Sequence, residues 1–101
     1  MQLTPGARLR STACETEVIV TRGPEGDVEL SCGGARMVPL ADTTTPAEAL
    51  DPSAADGTLM GKRYVDDTGA EVLVTKAGAG TLSIGTTPLS IKEAKPLPAS
   101  D

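Results

Sequence analysis

Two stretches of the chain carry the same alternation of apolar and polar positions. Glu17-Val-Ile-Val-Thr-Arg22 matches Glu71-Val-Leu-Val-Thr-Lys76, an offset of 71 − 17 = 54 residues. Held at that offset, 17–32 aligns with 71–86 without a gap, with Gly26 on Gly80, Val28 on Leu82 and Leu30 on Ile84. Alternation with period two puts every second side chain on one face of a β-strand. Val18 and Val20 then share one face, Val72 and Val74 share its counterpart, and Ile19 and Leu73 point the other way. Gly23-Pro24-Glu25-Gly26 and Ala77-Gly-Ala-Gly80 read as hairpin loops, since Pro presets a turn and Gly takes its left-handed position. The register that follows sets Val20 opposite Leu30, Val18 opposite Cys32 and Arg22 opposite Val28.

A short strand precedes each expected hairpin, over 8–11 and 62–65, and another follows, near 36–40 and 89–93. Gly6-Ala-Arg8-Leu9 matches Gly61-Lys-Arg63-Tyr64 with one residue slipped, and Met37 matches Ile91. Asp66-Asp67-Thr68-Gly69 is a further turn that sets Tyr64 opposite Val72. The pattern predicts a single all-β domain of about seven or eight antiparallel strands, a small sandwich or barrel made of two duplicated meander units. The units span 6–40 and 61–97, with an Ala-, Thr-, Pro- and Asp-rich linker over 41–60 and a tail over 98–101. In the linker, Thr45-Pro46-Ala47-Glu48 has the form of a helix capping box, and Asp51-Pro52 can start another helical turn. The alternative is an irregular loop laid over one end of the sheets.

Composition narrows the chemistry. The 101 residues carry no His, Phe or Trp, one aromatic residue (Tyr64), two cysteines and a net charge of −5. Lacking His, the chain has no imidazole base and no Ser-His or Cys-His pair. With acidic residues outnumbering basic ones and almost no aromatics to stack on bases, nucleic-acid binding is not expected. No apolar run approaches the ~20 residues of a membrane-spanning helix, and no leader segment is visible, so a cytoplasmic setting without membrane contact is expected. Aliphatic side chains alone make a thin core, because each Phe or Trp would bury about 150–250 Å². A thin core favours support from a disulfide, a second copy or a partner chain.

Both cysteines belong to the first unit. Cys32 is expected to face the core and Cys14 to lie in the loop before the same hairpin. Bridging them requires that loop to curl, since Cα atoms beyond about 7 Å apart cannot be joined. Free buried thiols, a Cys14–Cys32 bridge and a metal site completed by a second chain are the three readings. In Ser31-Cys32-Gly33-Gly34 the glycine amides can cradle an anion near the sulfur, but Glu17 and Glu29 nearby would oppose thiolate formation. Asp66-Asp67 lacks the ligand ladder of a calcium loop. Ala77-Gly-Ala-Gly80 joins strands rather than opening a helix, so no phosphate loop is expected there.

Ile19 and Leu73, with the matched pair Arg8 and Arg63, are the candidate interface. The two arginines can equally be edge charges that block unwanted strand pairing. Tyr64, flanked by Arg8 and Arg63, is the candidate lining of a pocket between the units. No catalytic residue, cofactor or complete metal set stands out. The leading expectation is a non-catalytic protein-interaction module, an accessory subunit or a homodimer whose partner is another protein chain. The alternatives are a thiol, disulfide or metal protein using Cys14 and Cys32, and a small-molecule-binding β domain.

Overall fold

A computed structural model describes residues 3–24 and 26–92. The molecule is all-β, with two antiparallel sheets stacked as a sandwich and no closed barrel. The strands are β1 (Arg8–Arg10), β2 (Glu17–Arg22), β3 (Leu30–Cys32), β4 (Ala35–Arg36) and β5 (Val38–Pro39) from the first half. From the second half come β6 (Arg63–Val65), β7 (Glu71–Lys76), β8 (Leu82–Ile84), β9 (Thr87–Pro88) and β10 (Ser90–Ile91). One six-stranded sheet runs β10-β6-β7-β2-β1-β5, and one four-stranded sheet runs β4-β3-β8-β9. Ten short strands therefore replace the seven or eight expected, because each half also folds a tight hairpin at its far end.

The expected hairpins across 23–26 and 77–80 do not form. β2 pairs with β1 on one side and with β7 on the other, so it has no free edge for β3. The N-terminal segment completes the β1 side, with Gly6 N–H donating to Val20 O at 2.7 Å and Val20 N–H to Ala7 O at 2.8 Å. The chain instead crosses to the second sheet, where β3 pairs with β4 and β8. Val18 and Val20 thus face Leu30 and Cys32 from across the core rather than from a neighbouring strand. All four are buried, which is why the alternation gave the right inward face with the wrong partners.

The two halves pair about a pseudo-twofold axis. In the large sheet Ile19 lies opposite its own counterpart Leu73, with Val18 opposite Val74 and Val20 opposite Val72. Bulges at both ends of this ladder make Thr21 and Thr75 the extra residues. Their hydroxyls donate to Glu71 O at 3.1 Å and Glu17 O at 3.2 Å, which are again counterparts. In the small sheet the axis passes between Ser31 and Ser83, an offset of 83 − 31 = 52. The gapless alignment therefore breaks after β2: the crossing 77–81 is shorter than 23–29 by two residues. Leu30 corresponds to Leu82, Cys32 to Ile84 and Met37 to Leu89. Met37 and Leu89 donate matching bonds, to Leu30 O and Leu82 O, both at 2.9 Å.

The core between the sheets is aliphatic, with Val18, Val20, Leu30, Met37, Val72, Val74 and Leu82 all at most 1% exposed. Tyr64 lies opposite Val72 as expected and is buried, its hydroxyl accepting from Leu59 N–H at 3.0 Å. The linker forms an irregular belt across one end of the sandwich. Its capping box starts no helix: Asp42 Oδ1 accepts the amides of Thr44 at 2.8 Å and Thr45 at 3.2 Å, while Glu48 N–H donates to Thr12 O at 2.9 Å. Asp51 caps one 3₁₀ turn, Pro52–Ala54, by accepting from Ser53 N–H at 2.9 Å. Further bonds tie the belt down, from Asp51 N–H to Gly33 O, from Thr81 N–H to Ala54 O and from Thr58 N–H to Gly78 O. The tail over 98–101 lies outside the described residues.

Candidate thiol site

The belted end of the sandwich brings the two cysteines together. Between β1 and β2 the chain curls: Ser11 N–H donates to Thr16 O at 2.8 Å, and Ser11 Oγ accepts from the amides of Ala13 and Cys14, both at 3.1 Å. That side-chain-held turn swings Cys14 inward over the end of β3. Cys14 Sγ comes to rest 3.6 Å from Cys32 Sγ, with both thiols free.

The sulfurs differ in setting. Cys32 is fully buried in the core, whereas Cys14 is only partly buried. Burial pushes the Cys32 thiol up to about 12, and the adjacent Cys14 sulfur adds to the rise. Burial also pushes Cys14 up, but hydrogen bonding from Ser11, Thr16 and the Gly80 amide outweighs it and brings that thiol down to about 7. Glu17 and Glu29, expected to oppose thiolate formation, do not set this pattern. The lower thiol pKa and the more open setting both fall on Cys14, not on the Cys32 that the adjoining glycines suggested.

Three hydroxyl and carbonyl groups behind Cys14 form a chain. Cys14 Sγ lies 3.2 Å from Thr16 Oγ1, Thr16 Oγ1 lies 3.1 Å from Thr58 Oγ1, and Thr58 Oγ1 lies 3.4 Å from Gly78 O. With Cys14 as a thiol, each group donates to the next, ending on the carbonyl. With Cys14 as a thiolate, Thr16 turns its proton to the sulfur and Thr58 turns its own to Thr16. Hydroxyl rotors permit either direction without moving a heavy atom, so both protonation states are accommodated.

The loop 77–80 walls the site. Gly80 N–H donates to Cys14 Sγ at 3.3 Å. A Cβ on Gly78 would sit 2.5 Å from Thr16 N and 3.0 Å from Cys14 Sγ, and one on Gly80 would sit 2.6 Å from Gly33 N and 3.0 Å from Cys32 Sγ. Only glycine lets this backbone approach both sulfurs. The sequence read this loop as a hairpin without anion chemistry. Its role depends on the crossing between sheets, and Thr16, Thr58, Gly78 and Gly80 carried no local signal of it. Among the described residues no group of three or more His, Cys, Asp or Glu side chains could hold a metal ion, so one chain offers two sulfur ligands.

The other candidates fall elsewhere. Arg8 lies opposite Ile19, Ile19 opposite Leu73, and Leu73 opposite Arg63, making one continuous row across four strands. The row is on the outer face of the large sheet, with Ile19 and Leu73 partly exposed. Tyr64 points the opposite way, so it shares no pocket with Arg8 and Arg63. The space beside Tyr64 is a separate open cavity of about 370 Å³, lined also by Leu59, Leu82, Pro88, Leu89 and Ile91. No described helix is long and apolar enough to cross a membrane. The chain matches no family model, no curated protein and no solved structure.

Proposed function

We propose that the chain is a thiol–disulfide protein whose chemistry is reversible closure of Cys14 onto Cys32. The observation that carries this reading is the 3.6 Å separation of the two free sulfurs. The low thiol pKa of Cys14 supports it, because thiolate is the species that exchanges and oxidises. A reducing cytoplasmic setting, in which the pair rests open, suits such a site. The test is mass-spectrometric counting of alkylated thiols after equilibration in glutathione buffers of graded potential. The expected result is two alkylated cysteines in reduced chain and none in oxidised, still monomeric chain. If oxidation joins separate chains, or leaves both thiols open to alkylation, the reading is wrong.

A second reading has its own observation. The row Arg8, Ile19, Leu73 and Arg63 gives the large sheet an apolar centre flanked by cations. That pattern favours a non-catalytic interaction module seated on another protein chain, as an accessory subunit or a homodimer. Ile19→Asp with Leu73→Asp should abolish association in a pull-down or reduce the size in solution. Unchanged association would remove this surface from consideration.

A further inference from the structure

We propose that the dithiol, read as above, is a site for a small hydroperoxide, with Cys14 as the attacking sulfur and Cys32 as the resolving one. Access fixes the order: Cys32 is 0% exposed and lies behind Cys14, so an oxidant from solvent meets Cys14 first. Space favours one class. A Cβ added to Gly78 would stand 3.0 Å from Cys14 Sγ, and one added to Gly80 would stand 3.0 Å from Cys32 Sγ, so the 77–80 backbone walls one side of both sulfurs. A hydroperoxide presents one small oxygen to the walled thiolate, whereas a disulfide must bring two substituted sulfurs into line with it, so the peroxide is the favoured oxidant and disulfide exchange the slower route. The donors around Cys14, the Gly80 amide and the Thr16 hydroxyl, hold the sulfur as thiolate before attack.

In the first step the Cys14 thiolate attacks the terminal peroxide oxygen. An S–O bond forms, the O–O bond breaks, and the alkoxide or hydroxide leaves and takes a proton from water. Cys14 is oxidised to the sulfenic acid and the peroxide is reduced to an alcohol or water. In the second step the Cys32 sulfur attacks Cys14 Sγ. An S–S bond forms, the S–O bond breaks, and hydroxide leaves as water with the proton of Cys32. Two molecules of a low-molecular-weight thiol such as glutathione return the disulfide to two thiols by way of a mixed disulfide, and leave as their own disulfide; the walled site makes this the slow step.

The experiment uses the full chain, hydrogen peroxide and dimedone, which traps sulfenic acid. In Cys32→Ala the adduct should accumulate on Cys14. Cys14→Ser should slow peroxide reduction by at least about a hundredfold, since Cys32 is far less ionised near neutrality even after allowing for its higher intrinsic nucleophilicity. Should either variant fail to fold, as judged by circular dichroism, wild-type chain is treated with peroxide and dimedone together and the adduct is mapped by peptide mass spectrometry. An adduct on Cys32 overturns the proposed order. A disulfide that forms with diamide but not with peroxide overturns the hydroperoxide assignment while leaving the dithiol reading intact. No disulfide with any oxidant overturns both.

Discussion

Oxidation of the pair should raise the stability of the fold, and the size of the gain can be worked out. The cysteines are 18 residues apart in sequence. Closing a loop of that length restricts the unfolded chain by about 3 kcal/mol in the chain-entropy picture. Against this, the sulfurs must approach by about 1.5 Å to reach a bonding distance near 2.05 Å. Cys32 is wedged in the core, so Cys14 must make most of that movement, drawing away from Thr16 and the Gly80 amide. Losing those two hydrogen bonds costs about 1–2 kcal/mol together. The entropy term wins, with a net gain of about 1–2 kcal/mol, or about 5–15 °C in Tm for a domain of this size. Thermal unfolding followed by circular dichroism, with oxidised and reduced chain side by side and Cys14→Ser as control, measures it. An oxidised chain that melts at the same temperature as the reduced one, or lower, would refute the reasoning. The belt and the 77–80 loop would then resist closure more strongly than the geometry implies.

Gly78→Ala should destabilise the fold by about 1–3 kcal/mol through overpacking against the Thr16 backbone, read as a lower Tm, and an unchanged Tm would show that this wall is loose. Alkylation of Cys14 by iodoacetamide should rise with pH through a midpoint of about 7, and Thr16→Val should move that midpoint upward by removing a hydrogen bond to the thiolate. A Cys14 thiolate favoured by the folded state also adds stability that grows from about pH 7 towards 9 and is lost as pH falls through 7. Cys32 acts with the opposite sign above pH 9, because folding holds its thiol neutral up to about 12, so each Cys→Ser variant should flatten one limb of a stability–pH curve. Tyr64→Phe should cost about 1 kcal/mol, since it strips the Leu59 amide of its acceptor, and no loss in urea unfolding would mean that solvent replaces it.

The sequence alone determined that this is an all-β fold made twice. It determined which side chains point inward, because side-chain direction along a strand is local and has period two. It also determined the pairing of Tyr64 with Val72, where the Asp66–Gly69 turn is short enough to set the register by itself. What it left open was the partner of each longer strand. β2 and β7 carry the same pattern, so a local hairpin and a long-range pairing between copies satisfy the alternation equally well. Only the assembled sheet shows that each takes the other's edge and sends the following strand across the core. The thiol site follows from that crossing. Cys14 and Cys32 were visible as residues, and the need for a curled loop was visible too. Their 3.6 Å approach, the Thr16–Thr58 relay and the glycine wall come from segments distant in the chain. Tertiary structure decided the setting of the two thiols because burial and the donors around a sulfur govern its ionisation, and those surroundings are assembled only when the sheets close over them.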